Sequence, residues 1–517
     1  MVAALLRVLH SGIQDSRLLP PKGQPNVSLF STVLIRAGRF TTQWVRLDFD
    51  TNPKFGSKSV ITLPRKGHLI SRLFLVSTLP DIFTAQQAAA VAATDQTFLG
   101  PAWTWTNSLG HAIVDNITVE IGGVRVERLD GRLLEVLDEF YTPLEKVPLI
   151  NKLIQRNMTN FPVYNTSPAT NPVVTYTPLP FWFSRGDPGV FLPIDALAVD
   201  PVKLTVAFNP IANLVVSTGL SPNYTQDAGS RYFPIEGAPL YVADPLGKPI
   251  YGLPATPGAV GDPTVPVLAS PIPRASMPSP LLLKDTYIVA EYIYLDAPEA
   301  NRFRISDIEI PVTQHYAFEP HDTSASSSAS VPLRIPNPTR NIFFYANRYE
   351  APSFNAPFLA TRDLSGNVAP GALWWPNASS INAKSPSLLQ PAFVFSGSEP
   401  LRSVQLTYEG SLVRYSTMSP SIFRSLLPSS EMRKSPYVNR YMYSLHFGLN
   451  HGHLNPSYPC GEANLDKITS ITLDLEFKPF AGSSMTTNVP RYIVWSWAET
   501  YNIFRVYAGR GGMMFAY

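Results

Sequence analysis

Twelve prolines fall between Pro234 and Pro280 of this 517-residue chain, and they restrict what its middle can become. Proline lacks the amide donor that a helix interior or a central strand needs. The segment therefore reads as a semi-rigid connector or a large surface excursion. On either side lie stretches that read as short β-strands closed by turns. The expected layout is an arm over 1–24, a first β-domain over 25–225, the proline-rich segment over 226–282 and a second β-domain over 283–517.

Charge is scarce. Charged residues make up 15% of the chain, against roughly 25% in ordinary soluble domains. Hydrophobic residues make up 45%, and the chain holds 51 prolines and 59 aromatic residues, counting 28 Phe, 8 Trp and 23 Tyr. A disordered chain would carry more charge and fewer aromatics, so this balance points to large surfaces buried against partners. The 41 basic and 38 acidic residues leave a net charge of +3. The basic residues are scattered, in short groups such as Arg65-Lys66 and Arg433-Lys434 that read as solvated loops, so no direct nucleic-acid binding is expected.

Cys460 is the single cysteine, which excludes an intramolecular disulfide. The apolar start, Met1 to Leu6, is too short for a secretion signal. No run of 18 apolar residues could form a spanning helix. Six Asn-x-Ser/Thr sequons, at Asn26, Asn116, Asn157, Asn165, Asn223 and Asn377, read as accidental without such a signal.

Strand signals begin at Trp44–Phe49, where apolar and polar residues alternate, and continue over Ser59–Leu63 and His68–Leu79. Residues 84–102, rich in Ala, Gln and Thr, read as a loop excursion. Ile113–Ile121 resumes as strand, and Gly122-Gly123 turns the chain into Val124–Val126. Asp130 is placed to cap a helix in which Leu133, Leu134, Leu137 and Phe140 form one face and Glu135, Asp138 and Glu139 the other, with Pro143 ending it. Residues 142–178 read as loop. Phe181–Phe183 and Lys203–Phe208 read as the last strands of the first domain. Thr286–Leu295 opens the second domain. Further strands are expected near Ile308–Thr313, Asn341–Ala346, Leu401–Tyr408, Tyr441–Phe447, Ile468–Phe477 and Arg491–Ala498, with Ser324–Ser330 and Pro370–Pro376 in loops. Many short strands with Pro- and Gly-rich turns argue for an all-β chain of two sandwiches or barrels. No fine sequence repeat between the halves is evident.

No catalytic constellation stands out. His446, His451 and His453, with Cys460 and Glu462 beyond, are residue types that bind zinc, but they lack a paired Cys-x-x-Cys and read as an ordinary loop. Gly509-Arg510-Gly511-Gly512 lacks the Lys-Ser/Thr and the following helix of a phosphate loop, and reads as a terminal turn tucked against a strand. The pair Asp138-Glu139 reads as solvated charge. Trp103, Trp105, Trp374 and Trp375 fall in expected loops, where they could stack on a sugar or a partner, or plug the end of a sandwich. Catalytic, cofactor-binding and metal-ligating residues are therefore assigned to none.

Several blocks in order resemble a known family. They run from Ser11-Gly12-Ile13-Gln14-Asp15 and Pro25–Phe30 to Phe40-Thr41, Pro64–Ile70 and Leu75–Pro80. Ile117–Gly123 then leads into the helix at Leu133–Phe140, and Pro180–Phe183 precedes Leu192-Pro193. Glu291–Asp296 and Tyr501–Val506, ending in Gly509–Gly512, complete the set. The order and spacing are similar to those of the major capsid proteins of nucleocytoplasmic large DNA viruses. The departures are the long proline-rich segment, the Ala-rich stretch at 84–102, and Asn450-His451 where the family tends to place Pro-Glu.

The resemblance implies two consecutive eight-stranded antiparallel jelly rolls with long loop insertions and a few short helices. It implies a structural protein without enzymatic activity or cofactor. The implied assembly is a homotrimer forming a pseudo-hexagonal capsomer of an icosahedral shell, built in the infected cell's cytoplasm. Implied partners are neighbouring capsomers and minor capsid proteins, with a penton protein and an internal viral membrane beneath the shell as further candidates. The long stretches 84–105, 142–178, 219–283 and 349–398 would form the outward-facing tower. Two alternatives stay open. One is a scaffold or minor shell protein that shapes the viral membrane, separable by abundance in purified virions. The other is a carbohydrate-binding jelly roll, which a glycan array would reveal.

Overall fold

The computed structural model describes residues 39–81, 103–156, 173–217, 239–241, 273–276, 282–349, 356–362, 398–437, 440–448, 461–479 and 489–515. Sixteen of its strands build two sandwiches, with Thr41–Tyr517 forming one compact unit. In the first half these are β1 (Phe40–Asp48), β2 (Lys58–Thr62), β3 (Leu69–Thr78), β4 (Val114–Ile121), β5 (Val124–Asp130), β6 (Val174–Pro178), β7 (Val202–Phe208) and β8 (Lys284–Leu295). In the second they are β9 (Ile308–Ala317), β10 (Ser328–Leu333), β11 (Thr339–Arg348), β12 (Leu401–Tyr408), β13 (Leu412–Met418), β14 (Met442–His446), β15 (Ile471–Phe477) and β16 (Tyr492–Tyr507).

The first half pairs as sheets β1-β8-β3-β6 and β2-β7-β4-β5, the second as β9-β16-β11-β14 and β10-β15-β12-β13. Adding eight to each label of the first half gives the second. The connectivity is therefore duplicated where the sequence shows no repeat. Eight antiparallel strands in two sheets, wound with the first strand beside the last, make each half a jelly roll.

Alternation of side chains drives the sheets. In β15, Ile471, Leu473, Leu475 and Phe477 are buried while Thr472, Asp474 and Glu476 are less so, the mark of a strand with one face on a core. Gly122 and Gly123 take φ of 59° and 84°, the two left-handed positions of a tight hairpin turn between β4 and β5. The helices are short: α1 (Leu109–Ala112), α2 (Gly131–Tyr141), α3 (Val147–Leu153), α4 (Ala297–Ile305) and α5 (Leu427–Glu431). α2 starts where the sequence predicts, since Asp130 Oδ1 accepts from the Leu133 amide at 2.8 Å, and it ends at Thr142 before Pro143.

The structure corrects several expectations. Strand β8, expected to open the second domain, pairs with β3 along Tyr287↔Val76 to Ile293↔Leu69 and closes the first sandwich. Phe181–Phe183 is a turn, not a strand. Its three rings are fully buried, and Pro178 and Pro180 beside it remove ladder donors. Residues 142–178 contain α3 and β6 in their described part. The expected loop Ser324–Ser330 becomes β10 from Ser328, because Ala329, Val331 and Leu333 alternate inward. The segment Trp103–Trp105 is a short strand paired with Val215–Ser217, and Trp105 is buried. The arm 1–24, the stretch 84–102, Trp374, Trp375 and most of the proline-rich segment lie outside the described residues. Of that segment, Pro239–Tyr241 and Pro273–Ser276 form a two-stranded ladder.

Candidate functional site: the polar seam between the sandwiches

The most distinctive chemistry lies where the two sandwiches meet. α2 follows β5 and lays its C-terminal end on the outer face of β9-β16-β11-β14, with the Phe140 and Phe343 rings 5.3 Å apart. Its other face, expected to be solvated, is also buried. Glu135 and Glu139 are fully buried, because cations from both halves converge on them. Arg156 Nη2 donates to Glu135 at 2.7 Å, and its Nη1 donates to Asp138 at 2.5 Å. Arg440, from the second half, reaches Glu135 at 2.5 Å and Glu139 at 3.7 Å. Lys434 lies 3.5 Å from Glu139, whose Oε2 also accepts from the Tyr437 amide at 3.1 Å. His111 Nδ1 lies 2.5 Å from Glu135 Oε2, so that nitrogen carries the shared hydrogen. Burial alone would raise the Glu135 carboxyl, but Arg156, Arg440 and His111 hold it well below the usual carboxylate range. Asp138 is lowered in the same way, chiefly by Arg156 acting against burial.

A second cluster joins β5 to β9 and β16. Glu127, Arg185, His315, Arg340 and Glu499 all have fully buried side chains. Arg185 lies 3.6 Å from Glu127 and donates to Thr313 Oγ1 at 2.7 Å and to His315 Nδ1 at 3.0 Å. A guanidinium only donates, so this ring nitrogen is unprotonated. Burial, aided by the Arg185 charge, lowers His315 to about 3. Burial raises Glu127 to about 7 despite Arg185. Glu499 moves the other way: burial would raise it, but the Arg340 and Arg185 guanidiniums lower it. It accepts from Tyr141 Oη at 2.8 Å and Asn341 Nδ2 at 2.7 Å. Nearby, Gln314 Nε2 donates to the Val126 carbonyl at 2.7 Å, and the Trp497 indole donates to Asp130 at 3.0 Å. The groups are carboxylates, guanidiniums and amides sealed among rings. They hold two bodies in one orientation.

The residues weighed as sites in the sequence are not brought together. His446 is buried on β14, with Nε2 2.9 Å from Ser444 Oγ. Glu462 is exposed, and His451, His453 and Cys460 lie outside the described residues. Among the described residues no cluster of His, Cys, Asp and Glu is placed to hold a metal. Of Gly509 to Gly512, expected as a terminal turn, only Gly509 lies in a turn; Arg510 to Gly512 belong to a short strand, Arg510–Met513, that folds back on the end of β16. This hairpin packs on the first sandwich, where the Val199 amide donates to Gly509 O at 2.9 Å and the Gly511 amide to Asp200 at 3.1 Å. A Cβ on Gly511 would sit 2.5 Å from Leu197 Cδ2.

Comparison with known proteins gives this architecture its relatives. Residues 28–240 match the family described as major capsid protein N-terminus, and residues 302–512 match the large eukaryotic DNA virus major capsid protein. The chain belongs to this major capsid protein family. β8 lies between the two matched regions, although it completes the first sandwich. A probable capsid protein of Acanthamoeba polyphaga mimivirus is 25% identical over 49% of this chain and 46% of its own length. The chain spans half or less of two further viral capsid proteins that it matches. The major capsid protein of Rana tigrina ranavirus is 20% identical over 89% of this chain and 87% of its own. A chain of the PBCV-1 virus capsid superposes with a TM-score of 0.64 at 17% identity, over 94% of this chain and all of that one. That likeness shows the double jelly-roll fold.

Proposed function

We propose that this chain is the major structural subunit of the icosahedral shell of a large double-stranded DNA virus. It acts as a homotrimer whose six jelly rolls form one pseudo-hexagonal capsomer. The observation that carries this reading is the duplication: two sandwiches of one connectivity, locked by a buried polar seam. Two like bodies in fixed relation give each chain two similar sets of edges. A head-to-tail contact between such chains generates a ring when the rotation closes. The family supplies the setting, an outer virion shell assembled in the infected cell, with neighbouring capsomers and minor capsid proteins as partners. In this reading the first domain runs from 25 through β8, and the proline-rich segment is an excursion between β7 and β8. The long excursions face outward.

Light scattering with electron microscopy of the purified chain tests the proposal. The expected particle has three times the 57.0 kDa chain mass and a hexagonal outline. A monomer at every concentration, or absence of the chain from the shell of purified particles, refutes it.

A further inference from the structure

Four arginines where the sandwiches meet are paired. Arg156, Arg185, Arg340 and Arg440 each lie within 3.6 Å of a buried glutamate. Arg132, in the first turn of α2, differs. Its guanidinium lies 4.0 Å over the Trp495 ring. Its buried Nε has no hydrogen-bond partner, and no carboxylate among the described residues pairs with it.

Arg132 lines a cavity of about 140 Å³. A cavity of roughly 150 Å³ is large enough to take in benzene, so this one has room for a molecule of about five heavy atoms. Its walls come from three parts of the chain: α1 with the start of β4, the segment after β7 that holds Asn209 and Asn213, and Pro357 with Phe358 from the second half. The wall is held in place by bonds of its own. His111 Nδ1 is tied to Glu135, and Asn209 Nδ2 donates to the Ala112 carbonyl at 2.8 Å. The cavity is therefore a formed site, and Arg132 is its permanent cation.

The charges on the wall select the ligand. Arg132 stands at the end of α2 whose dipole favours an anion. Asp115 is the carboxylate of the wall. It is exposed and accepts from Asn116 Nδ2 at 2.7 Å. One guanidinium beside one carboxylate suits a single negative charge, and a dianion such as phosphate meets twice the repulsion from Asp115. The planar fork of a guanidinium matches a carboxylate. Ala112, Val114 and Phe358 are buried apolar groups, and they favour a hydrocarbon chain over water.

We propose that this cavity binds a monocarboxylate on a short aliphatic chain, with Arg132 as the charged fork, Asn213 as a polar neighbour and Phe358 as the apolar wall. The group could arrive as a free short acid or as an acidic side chain of another protein. Isothermal titration of the whole chain with sodium propionate tests the site, against sodium chloride at equal ionic strength. A ligand this small is expected to bind with a millimolar dissociation constant, more tightly than sodium phosphate. Arg132→Leu removes the fork and should weaken propionate at least about tenfold, as for loss of a hydrogen bond to a charged group. Asn213→Phe fills the cavity from a half-buried position while keeping Arg132, and should also abolish binding; circular dichroism checks that both variants fold. A capped Gly-Glu-Gly peptide separates the sources. Binding of the peptide as well as propionate identifies an acidic side chain, and binding of propionate alone identifies a free acid. No heat from propionate beyond that of chloride, tighter binding of phosphate, or wild-type affinity in either folded variant overturns the assignment.

Discussion

Arg440→Ala tests whether the seam holds the sandwiches by balanced charge. Around α2, three carboxylates (Glu135, Asp138 and Glu139) face three cations (Arg156, Lys434 and Arg440), with His111 as a seventh member. The Arg440 side chain and both glutamates it meets are fully buried. Its removal leaves one carboxylate in excess where water does not reach. Removing one partner of a buried pair costs about 3–5 kcal/mol. Glu135 keeps Arg156 and His111 within 2.7 Å and Glu139 keeps Lys434, so the loss should fall at the lower end, ~3 kcal/mol. For a cooperative unit of roughly 150–250 residues that lowers the melting temperature by about 6–12 °C. Tryptophan fluorescence reads the transition, because Trp495 and Trp497 lie on the sheet face that α2 covers. Glu139→Gln in the same chain removes the excess charge. The double variant should therefore lose less than the sum of the singles, with a coupling of at least about 1 kcal/mol. A loss for Arg440→Ala below about 1 kcal/mol, or strict additivity, would refute the reasoning.

Three further outcomes are expected. The first concerns pH. Glu127, raised to about 7, gives stability that is lost as pH climbs from its unfolded value near 4.5 through 7. His315, lowered to about 3, gives stability that is lost as pH falls from its unfolded value near 6.5. The two slopes cancel between roughly 4.5 and 6.5. Glu127→Gln leaves the histidine slope unopposed, so urea unfolding across that window should show stability falling by about 1.4 kcal/mol per pH unit on acidification; a flat profile would contradict the assignment. Gly131→Ala should destabilise by about 1–3 kcal/mol, measured by thermal unfolding, because its Cβ would lie 2.4 Å from His111 O and 2.5 Å from Val114 O. Asp130→Ala should cost about 2–4 kcal/mol in the same assay, since it removes the α2 cap and the acceptor of the Trp497 indole.

The fold was legible where period and turn chemistry are local. The alternation in β15, the Gly122-Gly123 turn and the Asp130 cap each depend on a few consecutive residues. The reading failed where a partner from elsewhere in the chain decides. Thr286–Leu295 is a good strand by composition, but nothing within it says which sandwich it closes. Its neighbour β3 lies far back in sequence, across the proline-rich segment. The seam was illegible for the same reason. Glu135, Asp138 and Glu139 occupy the polar face of an ordinary amphipathic helix, and solvation is the default for such a face. Arg440 buries them from the other half of the chain, as one arginine among many. The scarcity of charge in the whole chain was the available hint, and it pointed to buried surface without saying where.

The seam also explains why a chain so poor in charge spends buried charges here. An apolar contact of equal area would hold the sandwiches as well or better, because desolvating ions offsets much of their attraction. Apolar contacts such as Phe140 on Phe343 accept several angles at similar energy. Arg156, Arg185 and Arg440 do not, since each guanidinium presents its donors in a fixed planar fork. A rotation of one sandwich leaves several buried groups unpaired at once, and each costs about 1–3 kcal/mol or more. The rings therefore supply the area and the ions select the angle. On the trimeric reading that angle matters three times over. On that reading each chain contributes one internal joint to the ring, and an error in it displaces the edges that one sandwich would present to the next copy.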